Sequence, residues 1–161
     1  MRRRALLAGA ALAGVAPFAA RMARAEGETI IDRFAQTLGA HDLSGFAALF
    51  ADDYVNHQLS AAAPAPGPGV SPKAATVAFF GARLKGLPDL TVTIETRVVA
   101  GDRAAASFVY EGAHQGVYFG VAPTGKRLRF TSCDIFRVAD GRIIEHWGMG
   151  DIAGVLAQLK G

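Results

Sequence analysis

The sequence predicts an α+β domain whose helices come first and lie on one face of a bent sheet. Two observations carry this expectation. Apolar residues recur at helical spacing as far as Leu84, and from Leu90 onward they alternate with polar ones. Turn signals at Gly39, Gly86, Gly101-Asp102 and Asp140-Gly141 cut the chain into short segments. With 161 residues the chain can bury one real core. No internal repeat of roughly 20–50 residues is present.

The elements follow in order. Ile30, Ile31, Phe34 and Leu38 share one face of a helix expected over Glu28–Leu38, ended by Gly39. Asp42 is a candidate N-cap for a second, short helix carrying Phe46, Leu49 and Phe50. Asp53 to His57 reads as a short extended piece. Residues 60–72, rich in Ala, Pro and Gly and free of charge, read as a loop, and residues 58–70 as a lid over the site. Ser71-Pro72 starts a helix carrying Val77, Phe80 and Leu84, closed by Gly86. Leu90, Val92, Ile94 and Val98 mark the inner face of the first long strand. Ala106, Phe108 and Tyr110 mark that of the second. From Arg127 to Val138 the alternation is unbroken, with Leu128, Phe130, Ser132, Asp134, Phe136 and Val138 on one side. Asp140-Gly141 signals a hairpin into a last strand, Arg142–Trp147, and Asp151 can cap a final helix ending near Leu159.

Residues 1–25 read as an export signal, leaving 26–161 as the domain. Arg2, Arg3 and Arg4 precede an apolar run from Ala5 to Ala20, and Ala23-Arg24-Ala25 is a small-x-small site. The paired Arg ahead of Leu6 and Leu7 suggests the twin-arginine route. The expected location is periplasmic or secreted, with no membrane association after cleavage. Without the five Arg of this segment, 12 basic residues face 14 acidic ones, a net charge of −2. No basic stripe remains to argue for nucleic acid. Cys133 is the only cysteine, so no internal disulfide is possible. On a strand, a buried and inert thiol is its expected state.

Asp134 is the most informative residue, because it stands on the apolar face of its strand between Ser132 and Phe136. A carboxylate there must be hydrogen-bonded, paired or functional. Such a group suits general acid/base work, although it could equally serve a structural network. His146, counted from the hairpin turn, falls nearly opposite Asp134, where the two would share a face. His57 follows Tyr54 and Asn56 at the mouth of the Pro/Gly loop. His114 stands at a strand end, and His41 in a helix–helix turn. No metal-ligand spacing links these side chains, so no metal is expected.

Together these segments are recognisable. Gly112-Ala113-His114-Gln115-Gly116, Gly120 to Lys126, Asp134-Ile135-Phe136-Arg137, Asp140 to Trp147 and Asp151 resemble the C-terminal half of SnoaL-like polyketide (ester) cyclases, a group of the nuclear transport factor 2-like superfamily. Asp53 to His57 is similar to their N-terminal half. The resemblance implies a cone-shaped barrel, in which a curved antiparallel or mixed sheet is wrapped by N-terminal helices around a ligand. It implies intramolecular aldol chemistry by acid/base side chains, with no metal and no organic cofactor. With Asp134 as the acid/base and His146 and His57 as proton donors or orienting groups, these three are the expected catalytic residues. Phe108, Tyr110, Phe130, Phe136 and Trp147 are the expected apolar lining. Tyr54, Asn56, His114 and Asp151 are the expected polar contacts. In those cyclases an acid/base Asp follows the last-strand His by two positions, where this chain has Gly148. Asp134 takes a position where they carry a His.

Three readings follow. The first is an enzyme performing cofactor-independent acid/base chemistry on a small apolar carbonyl compound. The second is a non-catalytic binder of an apolar ligand. The third is a homodimeric assembly module that packs through its open sheet face.

Overall fold

The computed structural model describes residues 15–58 and 65–161. The Arg2–Arg4 cluster and most of the apolar run expected of an export signal lie outside the described residues, as do residues 59–64 of the expected lid. The first helix, α1 (Val15–Gly39), begins far earlier than expected. Strong helix formers in residues 19–26 carry it backward without a break. It packs on the domain only from Gly27, where an added β-carbon would meet Val99 Cγ1 at 2.8 Å. From there Ile30, Ile31, Phe34, Ala35 and Leu38 form its buried stripe. Gly39 is the last helical residue, but the left-handed turn that follows falls on His41, with φ of 57°. The turn is closed by Asp42 N–H donating to the Thr37 carbonyl.

Asp42 caps α2 (Leu43–Ala47), accepting from the Gly45 N–H at 2.8 Å. Next come β1 (Phe50–Asn56) and α3 (Pro72–Gly86), which Ser71 caps by accepting from the Ala74 N–H. The inner face of α3 carries Phe80 and Leu84, and also two polar side chains, Thr76 and Arg83, all buried. Four strands and a helix complete the domain: β2 (Thr91–Ala100), β3 (Arg103–Ala113), β4 (Arg127–Ala139), β5 (Arg142–Gly150) and α4 (Ile152–Lys160), capped by Asp151. The five strands form one open sheet in the order β1-β5-β4-β3-β2. β1 runs parallel to β5 and makes the sheet mixed, while all other neighbours are antiparallel. This is an α+β cone, with α1 lying across β2, β3 and β4 and α3 against β1.

Two bulges set which side chains enter the cone. In β2, Ile94 pairs with Phe108 but Thr96 with Ser107, so Glu95 is an extra residue. The phase flips there. Val98, expected inside, is 65% exposed, and Val99 packs on the core instead. The second bulge is in β5 and shapes the site. Cys133 lies on the outer face of β4 beside Thr131 and Ile135, and is exposed, not buried. Its neighbours at alternate positions include Arg129 and Arg137, which already mark that face as the solvent side.

The core is aromatic. The Phe34 ring lies 5.0–5.4 Å from those of Phe46, Phe80, Phe108 and Phe136. One α1 side chain thereby ties α2, α3 and the sheet together, and its loss would cost about 3–5 kcal/mol.

Candidate active site

The hairpin between β4 and β5 positions the central pair. Asp140 and Gly141 both have positive φ, 51° and 66°, as a two-residue turn of the right twist requires. Ala139 pairs with Arg142 and Val138 with Ile143. Arg137 then pairs with Glu145, which leaves Ile144 as an extra residue. Without that bulge His146 would face Ile135, on the outside. With it, His146 pairs with Phe136 and Gly148 with Asp134. His146 and Asp134 are therefore diagonal neighbours on the inner face, not directly opposed. Both are buried, and His146 Nε2 lies 2.7 Å from Asp134 Oδ1.

A single line of hydrogen bonds runs through the pair. Asn56 Nδ2 donates to Thr76 Oγ1 at 3.3 Å, and Thr76 Oγ1 donates to Tyr54 Oη at 3.3 Å. The Tyr54 hydroxyl lies 3.1 Å from His146 Nδ1. Burial, and to a smaller degree the Asp134 charge, push the Tyr54 hydroxyl far above its ordinary pKa, so it stays protonated and donates. That fixes the imidazole tautomer: Nδ1 accepts, and Nε2 carries the proton donated to Asp134. The other carboxylate oxygen accepts from Ser132 Oγ. Ser132 has one proton and spends it there, so Tyr110 Oη, 3.3 Å away, donates to Ser132. Tyr110 is likewise held protonated, by burial first and by Asp134 second. Asp134 is thus a buried carboxylate with a donor on each oxygen and lone pairs to spare, able to take a proton from carbon and give it back while His146 Nε2–H holds it in place.

Gly148 faces this pair. A β-carbon there would lie 2.5 Å from Gln58 Oε1, 2.7 Å from Asp134 Oδ1 and 2.9 Å from His146 Nε2. Three polar groups converge on its α-carbon, and only glycine leaves them room.

The remaining expected residues divide in two. Tyr54, Asn56, Phe108, Tyr110, Phe130 and Phe136 join the inner face or its hydrogen-bond line. His57, Trp147 and Asp151 do not. The β5 bulge sends Trp147 outward opposite Ile135, and His57 stacks on it with ring centroids 4.4 Å apart. His57 Nε2 contacts Glu145 Oε2 at 2.8 Å, also on the outer face. Asp151 is exposed and spent as the cap of α4, accepting from Gly154 N–H. His114 is fully buried, but it braces the following loop: its Nδ1 accepts from Thr124 N–H at 3.2 Å. Among the described residues no three His, Cys, Asp or Glu side chains gather as a metal site would require.

Sequence reasoning missed Arg83, Thr76, Ser132 and Gln58. Arg83 is the least expected, being only 4% exposed and in no ion pair among the described residues. Its place one helical turn from Phe80, on the apolar stripe of α3, was the available clue.

An open mixed sheet wrapped by helices, with a buried carboxylate–imidazole pair on its inner face, defines a nuclear transport factor 2-like protein. The chain belongs to the SnoaL-like polyketide cyclase family, whose sequence model matches residues 28–159. Among solved structures it is similar to IdmH of Streptomyces antibioticus, named as a polyketide cyclase. Identity is 31% over 84% of this chain and 99% of that one, with a TM-score of 0.71. It is also similar to AclR of Streptomyces galilaeus, named as a hydroxylase. There identity is 26% over 84% of this chain and 82% of that one, again with a TM-score of 0.71. TsrD of Streptomyces laurentii matches at 25% identity and a TM-score of 0.71, over 85% of this chain and 96% of that one. Comparison with curated protein sequences finds no match.

Proposed function

We propose that the chain is an acid/base catalyst of ring closure or double-bond isomerisation on a small, largely apolar carbonyl compound held in the cone. The observation that carries this reading is the buried 2.7 Å contact between Asp134 and His146 amid aromatic side chains. Both reactions begin by removing a proton beside a carbonyl, which needs a desolvated base and a donor for the oxygen. Asp134 is the base. Asp134 itself returns the proton, to the new carbon position or to the developing alkoxide, while His146 Nε2–H and the Tyr54 hydroxyl behind it hold the carboxylate in place. The polyketide cyclase family model, and the naming of IdmH as a polyketide cyclase, support ring closure over isomerisation. The chemistry asks for no group beyond the chain's own side chains.

The rival reading is a non-catalytic binder, favoured by Gly148 standing where the family's cyclases carry a carboxylate. Solvent-deuterium uptake at the α-carbon of β-tetralone, followed by NMR, separates the two. The wild type should accelerate uptake, and Asp134→Asn should lose about a hundredfold or more of that acceleration. Equal rates for the two proteins would leave the binder.

A further inference from the structure

Arg83 stands at the opposite end of the interior from Tyr54 and is used by nothing described so far. Its guanidinium carbon lies 4.4 Å from the Tyr110 ring centroid, 4.7 Å from Phe80, 5.3 Å from Phe130 and 5.4 Å from Phe79. Nε donates to the Tyr118 hydroxyl at 3.2 Å. Nη1 is buried and has no hydrogen-bond partner among the described residues. Burial weakens the cation, but Tyr118, Tyr110 and Asp134 outweigh that and hold it above its ordinary pKa. It is therefore a permanent buried charge with a free donor. Aromatic faces offset part of its desolvation, yet they offer Nη1 no acceptor.

The position matters as much as the charge. Arg83 and Thr76 share one face of α3, seven residues and so roughly 10 Å apart. Thr76 touches the Tyr54 end of the hydrogen-bond line, and the Tyr110 ring under Arg83 leads through Ser132 to Asp134. An anion at Arg83 would sit about the length of a fused bicyclic ring from the far end of that line. Among the described residues Asp134 is the one buried carboxylate; its charge acts on Arg83 from a distance, but its oxygens are engaged by His146 and Ser132, and no acceptor reaches Nη1.

We infer that Arg83 is the anchor for a carboxylate on the substrate, and that the substrate is an aromatic or conjugated keto acid. The acid group binds end-on at Nη1 inside the cage of Phe79, Phe80, Tyr110 and Phe130, and the reacting carbonyl lies toward Asp134. This rests on the acid/base reading only for the placement of the carbonyl. The anchor itself would serve a binder equally.

The test uses β-naphthoate and its methyl ester as a matched pair of probes, titrated by calorimetry into the full chain. The wild type should favour the acid by at least about tenfold, as a charge-assisted hydrogen bond warrants. Arg83→Met should lose the preference, and Arg83→Lys should keep part of it. Because Arg83→Met could disturb packing, a second readout uses the wild type alone. The nitrogen NMR signal of the Arg83 guanidinium should shift with the acid and not with the ester. Equal binding of the two probes, binding of neither, or a preference that survives in Arg83→Met would each overturn the anchor. Deuterium uptake by β-tetralone in the wild type and Asp134→Asn reports the acid/base reading separately. An acid preference without Asp134-dependent uptake keeps the anchor and removes the catalyst. The reverse result removes the anchor and keeps the catalyst.

Discussion

Asp134 faces Gly148 directly across the β4–β5 ladder, so the carboxylate occupies the space that a side chain at position 148 would need. Opposed residues on one face hold their β-carbons about 5 Å apart. A carboxylate supplied from either strand could thus reach the same imidazole, but the two cannot coexist.

Gly148→Ala tests this contact. Gln58 has a free end that can swing away, but Asp134 and His146 are tied back by Ser132 and Tyr54. They must separate to admit the methyl group. We expect a fall in β-tetralone deuterium uptake of about tenfold or more, with a stability loss of about 1–3 kcal/mol in a denaturant titration. Moving the carboxylate by Asp134→Gly with Gly148→Asp should restore more activity than either single change retains. A double variant no better than the singles would mean that position 148 cannot present a carboxylate to His146.

The two halves of the pair should respond differently to truncation. Asp134→Asn keeps an acceptor for His146 Nε2, and the Ser132 hydroxyl can turn to accept from the new NH2, so the fold should survive while activity is lost. His146→Ala leaves a buried carboxylate without one of its two donors, at a cost of about 1–3 kcal/mol or more. Thermal melting of the two variants should therefore rank His146→Ala well below Asp134→Asn. The opposite ranking would show that the imidazole, not the carboxylate, is the group the core tolerates poorly.

How far the sequence reveals this site depends on whether a residue's phase is inherited from an unbroken run. Asp134 is legible because nothing interrupts the alternation of β4. Cys133 is legible for the same reason, and its exposure follows from sharing a face with Arg129 and Arg137. His146 is placed on the correct face but in the wrong register, because counting back from the turn cannot reveal an extra residue at Ile144, and that one residue decides whether His146 or Trp147 enters the cone. Val98 fails for the same reason at Glu95. Arg83 is hidden differently. A charge on an apolar helical stripe reads as a snorkelling side chain until the aromatic rings that enclose it are known.

The outer face gives a pH prediction. Hydrogen bonding from His57 first, then from Arg137, holds the Glu145 carboxyl below its ordinary value of 4.5. A depressed carboxyl contributes stability that is present above that ordinary value and fades as the pH falls through the lower folded value. Glu145→Gln should therefore lose a small amount of stability at neutral pH and converge with the wild type as the pH falls well below about 4.5, which flattens the acid side of its curve. Since Glu145, His57 and Trp147 face away from the cone, neither Glu145→Gln nor His57→Ala should change deuterium uptake by more than about threefold. A collapse of activity in His57→Ala would return that histidine to the catalytic set.

The last prediction concerns the boundary near Ala25. The start of α1 contributes little to the domain: Phe18 is 66% exposed and Met22 48%. The Arg24–Glu28 pair, at 3.0 Å, is exposed and so worth well under about 1 kcal/mol. Packing begins abruptly at Gly27, whose α-carbon lies so close to Val99 that no β-carbon fits. A chain of residues 26–161 should therefore melt within a few degrees of the full chain, as expected for losses below about 1 kcal/mol. Gly27→Val, which alters one residue, should lower the melting temperature further than the whole truncation does. In a bacterium with a twin-arginine system, the exported protein should give an intact mass corresponding to a start at or near Glu26. A truncated chain that melts far below the full one would place the true boundary earlier in α1, and a soluble cytoplasmic pool retaining Met1 would remove the export reading with it.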